Sequence, residues 1–261
     1  MIIDGLTHIT KNGVWMYKNY DASLERLLRE MSKTQVDKAV LVGNPPLNDN
    51  DFVLEVYHKY PNKFIPVAAF NPKGLNDKQI EMEVSTFKQQ GFMGIKIHPR
   101  FCGLSLDSTE IDKVLKIAGK HDLVCFICTL HRPPSVPLKR PLYDVIHEIC
   151  ENNKKTRIVL VHGGYYELLP TSEIIRSYEN VLLDLSLTLP RFAGSSIGQD
   201  IKFLFNTFEK RIVLGSDFPE YTFSDIYKSL RLLDISVGDF IGVGPFGENL
   251  MRFFNINTNS R

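Results

Sequence analysis

The sequence predicts an α/β fold, a single (β/α)8 TIM barrel with a C-terminal helix. Three observations carry this: eight short apolar runs, helix-spaced segments between them, and 261 residues against the roughly 250 of one such barrel. The runs are residues 2–4, 38–42, 64–69, 94–98, 123–129, 157–162, 181–185 and 211–215. Almost wholly apolar, they read as strands buried on both faces, as a parallel sheet requires.

The segments between the runs carry helical spacing. Leu24, Leu27, Leu28 and Met31 form one stripe; Ile111, Val114, Leu115 and Ala118 form another, with Asp107, Ser108 and Thr109 as N-cap candidates. Pro61-Asn62 and Asn152-Asn153 mark returns from helix to strand. Strict alternation implies parallel strands joined by right-handed crossovers, and eight units favour closure over an open sheet. No composition break or low-complexity run divides the chain, so residues 1–261 are read as one domain, with a final helix near 247–254.

Hydrophobic residues make up 43% and charged residues 23%, which suits a packed core and argues against disorder. The net charge of +1 and the absence of a basic stripe exclude nucleic acid and an anionic membrane surface as expected partners, leaving a small-molecule substrate. The N-terminus does not read as a signal peptide, no run reaches the ~20 apolar residues of a membrane span, and the four cysteines lack scaffold spacing. A cytoplasmic protein is expected. Cys125 and Cys128 form C-x-x-C, but on a strand residues three apart face opposite sides, so a redox pair is not expected.

Two loops exceed a minimal barrel: residues 10–21, with Trp15, Tyr17 and Tyr20, and residues 130–140, with His131 and Arg132. Both leave strand C-termini, the face where barrels place their chemistry. His8, His98 and His162 fall at the ends of the first, fourth and sixth strands, and Asp217 follows the eighth. Lys96 lies two residues before His98, on the same strand face. Histidine with carboxylate is the ligand chemistry of zinc or another divalent ion. Against this, a lone strand-end histidine is more often structural, His-Pro at 98–99 can simply end a strand, and Lys96 can pair with a carboxylate inside the barrel. His58, His121 and His147 sit on or at the end of helices and are read as structural.

The ordered motifs Ile2-Ile3-Asp4-Gly5-Leu6-Thr7-His8, Gly94-Ile95-Lys96-Ile97-His98-Pro99, Val161-His162-Gly163-Gly164 and Gly215-Ser216-Asp217-Phe218-Pro219, with a closing helix through Leu250 and Phe254, resemble the amidohydrolase superfamily. The resemblance is strongest to its amidohydrolase-related branch, which includes the aminocarboxymuconate-semialdehyde and resorcylate decarboxylases. It implies a mononuclear divalent metal site and homodimerisation. It also assigns His162 to acid/base work or ligation and Asp217 to ligation and proton handling. The family usually begins Asp-x-His-x-His, and here Leu6 stands for the first histidine; the fifth-strand histidine is replaced by Cys128. Cys128 is either a thiolate ligand completing a zinc set with His8, His162 and Asp217, or a small buried apolar residue. His131 is a further substitute ligand.

Two functions follow. One is a metal-dependent hydrolase or non-oxidative decarboxylase acting on a small carboxylated or amide-like substrate, with His162 and Asp217 catalytic, Lys96, His98 and Arg100 receiving anionic groups, and Trp15, Tyr17 and Tyr165 lining the pocket. The other is a catalytically altered barrel that binds a small molecule without metal, which Leu6 favours.

Overall fold

The structure is a computed structural model that describes residues 1–16, 19–44, 49–240 and 244–256. Its eight strands are β1 (Ile3–Thr7), β2 (Lys38–Val42), β3 (Phe64–Phe70), β4 (Gly94–Ile97), β5 (Val124–Cys128), β6 (Ile158–Val161), β7 (Val181–Asp184) and β8 (Ile212–Val213). They pair in parallel in sequence order. The barrel closes between β8 and β1, where Gly5 donates to the Leu214 carbonyl at 2.9 Å, Asp217 to Leu6 at 2.9 Å and His8 to Phe218 at 2.9 Å. A side chain at Gly5 would place its Cβ 2.9 Å from the Leu214 oxygen, so the seam needs glycine there. The expected (β/α)8 barrel is therefore observed.

Strand alternation sorts the core into two layers. Ala39, Leu41, Ile95, Ile97, Cys125, Ile127, Ile158 and Leu160 face outward, against the helices. Val40, Val42, Val124, Phe126, Val159, Val161 and Leu182 fill the barrel interior with Leu6. The same period turns Lys96, between Ile95 and Ile97, toward the interior. Cys125 and Cys128 face different layers, as expected, and all four cysteines are free.

The surrounding helices start and stop on local signals. Helix Leu24–Thr34 begins where the Ser23 hydroxyl accepts from the Arg26 amide, and Asp77–Gln90 opens with a reciprocal Asn76/Gln79 capping box. Helix Thr109–Lys120 follows Ser108 as predicted, though without a side-chain cap bond. The closing helix is shorter than predicted, Glu248–Phe253, and it seals the N-terminal end of the barrel. Leu250, Met251, Phe253 and Phe254 join the interior layer, with Phe254 stacked on Phe126 at 6.0 Å. Among the described residues no helix is long and apolar enough to cross a membrane.

Candidate functional site

The C-terminal end of the barrel holds a buried polar cavity. It is lined by His8, Lys96, His98, Arg100, His162 and Asp217, all singled out in the sequence, and by Arg132 and Glu220 from loops. Trp15, Phe101, Leu130 and Leu187 supply its apolar wall. Its volume is about 40 Å³. A larger open groove of about 470 Å³ lies outside the mouth beside Asp49, Asp51 and Glu55, but it gathers none of these residues.

The closing seam fixes the pairing of His8 with Asp217, because His8 and Asp217 each donate a backbone bond across it. His8 Nδ1 lies 2.7 Å from the Val42 carbonyl, which only accepts, so Nδ1 carries the proton and Nε2 presents its lone pair. Lys96 Nζ donates to that Nε2 at 3.1 Å, and Asp217 Oδ1 lies 3.7 Å from it. Burial, reinforced by the Lys96 charge, pushes the His8 pKa well below the ordinary histidine value, so His8 is neutral. Trp15 stacks on the ring at 5.5 Å and its indole N–H donates to Glu220 at 3.3 Å, joining the first and last loops above the cavity.

His162 sits at φ +67° immediately after β6 and is held on three sides. Its amide donates to Asp184 at 3.1 Å, its carbonyl accepts from the Thr188 hydroxyl at 2.7 Å, and its Nδ1 donates to the Ser186 carbonyl at 2.9 Å. The chain then turns through Gly164, at φ +82°, where a Cβ would meet the Thr171 hydroxyl. Asp217 and Leu187 are also left-handed, at φ +58° and +60°. Such strain persists only where the surroundings over-determine the backbone, and it gathers at working sites. Burial lowers His162 to about 3, with Lys96 adding to the effect, and raises Asp217 to about 6 against the opposing pull of Lys96 and Arg132.

His98 caps the short turn Pro99–Cys102 instead of ending β4, and its ring lies 4.0 Å from Phe101. Its buried Nδ1 and the buried Nε of Arg100 have no hydrogen-bond partner among the described residues. Burial and the Lys96 charge depress the His98 pKa as well.

Cys128 does not line the cavity. It packs with Leu130, Tyr165 and Leu187, and burial raises its thiol pKa. Tyr165 packs in the same cluster, His131 is half-buried, and Tyr17 lies outside the described residues. Arg132 and Glu220 were missed as lining residues because loop residues carry no periodic signal. Asp4 and Asp184 were missed as supports, yet each is a carboxylate in an apolar strand, a pattern that marks a buried charge with fixed partners. Asp4 accepts from the Ser216 amide at 2.7 Å and its hydroxyl at 2.6 Å, and burial raises it to about 7; Asp184 brackets His162 and Ser186 and rises to about 6.

The amidohydrolase family model matches residues 12–239, most of the chain. The chain belongs to the amidohydrolase family. The matched segment begins after β1, so the first-strand motif with Leu6 lies outside it. The search of curated proteins finds no match. Among solved structures, a probable 2-pyrone-4,6-dicarboxylic acid hydrolase from Acinetobacter baumannii, with citric acid bound, is 16% identical over 97% of this chain and 99% of its own, with a TM-score of 0.70. An uncharacterised TIM-barrel protein from Bordetella bronchiseptica is 15% identical over 97% and 98%, with a TM-score of 0.81. A dihydroxybenzoic acid decarboxylase from Polaromonas, with bound manganese and the inhibitor 2-nitroresorcinol, is 15% identical over 98% and 97%, with a TM-score of 0.69. At these identities the likeness establishes the shared fold.

Manganese is bound in two of the similar solved structures, the dihydroxybenzoic acid decarboxylase and a 5-carboxyvanillate decarboxylase. Such an ion needs three or four donors facing one point. Among the described residues no three histidine, cysteine or carboxylate side chains are so grouped. The physical reasons are local. Leu6 is fully buried in the apolar interior, the Lys96 ammonium occupies the His8 Nε2 lone pair, and the Cys128 thiol is packed away and kept protonated. The expected set of His8, Cys128, His162 and Asp217 does not form a ligand sphere here, and the residues present do not fit a resident metal.

Proposed function

We propose that this amidohydrolase is a hydrolase or non-oxidative decarboxylase acting on a small carboxylated or amide-like substrate at the barrel mouth. The observation that carries the reading is the single buried cavity that unites His8, Lys96, Arg100, Arg132, His162 and Asp217 from four strand ends and one loop. Lys96, His98, Arg100 and Arg132 receive the anionic part of the substrate, the two arginines being suited to bidentate contact with a carboxylate.

Asp217 handles the proton. A carboxyl pushed up to about 6 both holds and releases a proton near neutrality. In hydrolysis the carboxylate takes a proton from the attacking water; in decarboxylation the carboxylic acid delivers one to the carbon that loses CO2. His162, lowered to about 3, is a poor proton reservoir, and its Nε2 lone pair serves to orient a water or a substrate hydroxyl. Zinc has no role in this scheme, because the donors it would need are not grouped. A cytoplasmic location, in keeping with four unpaired buried thiols, and a homodimer belong to the same reading.

The second reading, binding without turnover, is favoured by Leu6 and by the 40 Å³ cavity, well below the roughly 300–1,000 Å³ of common ligand pockets. Purified protein is to be incubated with small carboxylated phenols and carboxylated lactones, following ring absorbance and CO2 release. Turnover that Asp217→Asn reduces by about 100-fold or more supports the enzyme. Saturable binding of these compounds with no turnover would establish the second reading in its place.

A further inference from the structure

We propose that the Lys96 ammonium is the resident cation of this cavity, taking on His8 the nitrogen that a divalent ion would use and thereby excluding metal from the site. The inference rests on the location of the site proposed above but not on its reaction, and its test reads metal uptake instead of turnover.

Four observations converge. The register of β4 turns Lys96 into the barrel between Ile95 and Ile97, and the side chain is 3% exposed. His8 has one nitrogen to offer, because Nδ1 is committed to the Val42 carbonyl, and Lys96 Nζ already holds the other at 3.1 Å. A metal ion on Nε2 would have to displace that ammonium and then sit beside it, two cations in a buried cavity where charges are poorly screened. The positions that would repay the cost are closed: Leu6 has no donor, and Cys128 faces Leu130, Tyr165 and Leu187.

The surroundings are arranged for an ammonium. Asp217 supplies the countercharge beside His8, and the Lys96 charge acts on His8, His98, His162, Cys128 and Asp217 alike. A lysine head has three N–H donors and His8 takes one, so others serve an oxygen of a ligand in the cavity that Lys96 lines. The site therefore offers an anionic group a fixed single charge in place of a divalent one.

The test is calorimetric titration of chelator-treated full-length protein with manganese chloride and with zinc sulfate, on wild type, His8→Ala and Lys96→Met. Methionine keeps the length and apolar stem of lysine without its charge. Wild type is expected to take up neither ion at this site, so that any uptake it shows is unchanged by His8→Ala and belongs to the surface. Lys96→Met, by baring His8 Nε2 beside Asp217 and His162, is expected to bind at least one of the ions about tenfold or more tightly than wild type. One equivalent of metal bound by wild type and lost in His8→Ala overturns the proposal, as does a Lys96→Met protein whose metal affinity equals that of wild type. Should Lys96→Met fail to fold by circular dichroism, Lys96→Gln, which keeps a polar head without the charge, replaces it in the same titrations with the same two outcomes.

Discussion

The two ends of this barrel are built on opposite terms. At the N-terminal end the closing helix drives Leu250, Met251, Phe253 and Phe254 into the interior layer, and the contacts they make there are apolar. At the C-terminal end His162, Leu187 and Asp217 sit in left-handed backbone, and the cavity is walled by histidine, lysine, arginine and carboxylate. One end supplies free energy and the other spends it on geometry. In (β/α)8 barrels this separation is what allows chemistry to vary without loss of the fold.

The largest expected effect breaks the first end alone. Phe254→Ala removes a buried ring stacked on Phe126 and is expected to cost about 3–5 kcal/mol in denaturant unfolding, while ligand affinity at the mouth stays within about twofold. Asp217→Asn should do the reverse. Activity falls by about 100-fold or more, equivalent to about 3 kcal/mol of transition-state stabilisation. Stability above pH 7 rises by about 1–3 kcal/mol, because a carboxyl raised to about 6 on folding is penalised once ionised. That gain should vanish below about pH 4, where the acid is protonated in both states. Equal gains at pH 4 and pH 8 would refute the assignment of its cause.

Leu6→His tests whether the altered first strand alone explains the metal chemistry. It places an imidazole in the apolar interior, so it should destabilise by roughly 1–3 kcal/mol and confer no manganese uptake while Lys96 remains. The smallest effect is a cancellation. His8, His98 and His162 have lowered pKa values, so they remove stability as pH falls through the unfolded histidine value near 6.5. Asp4, Asp184 and Asp217 have raised values, about 7, 6 and 6, so they restore stability over the same fall. Between pH 5 and 7 the net change from these six should be about 1 kcal/mol or less. Replacing His98 with Asn removes one opposing titration, and thermal melts should then show the variant gaining stability on acidification relative to wild type.

The fold was legible because a parallel barrel writes its strands as uninterrupted apolar runs. All eight predicted strands begin within one residue of the observed ones, and only the first and the eighth end more than one residue away. The misses have physical causes. β1 runs to Thr7 because Gly5 is there for close approach to Leu214, and β8 stops at Val213 because the Leu214 amide turns to the Pro245 carbonyl. The polar residues at strand ends were legible from position alone, which brought His8, Lys96, His98, Arg100, His162 and Asp217 to one cavity. Position could not tell that Cys128 would turn toward Leu130 and Tyr165, nor that Arg132 would reach inward from a loop.

Trp15 is the chain's one tryptophan, and it stacks on His8 while bonded to Glu220 across the mouth. The protein therefore carries its own optical label at the place of interest. Intrinsic emission, excited selectively at the indole band, reports the mouth free of background from the remaining core. A ligand that lifts the ring off its imidazole will change the wavelength and intensity of that emission, so occupancy and opening rate become measurable by stopped flow before any product is known.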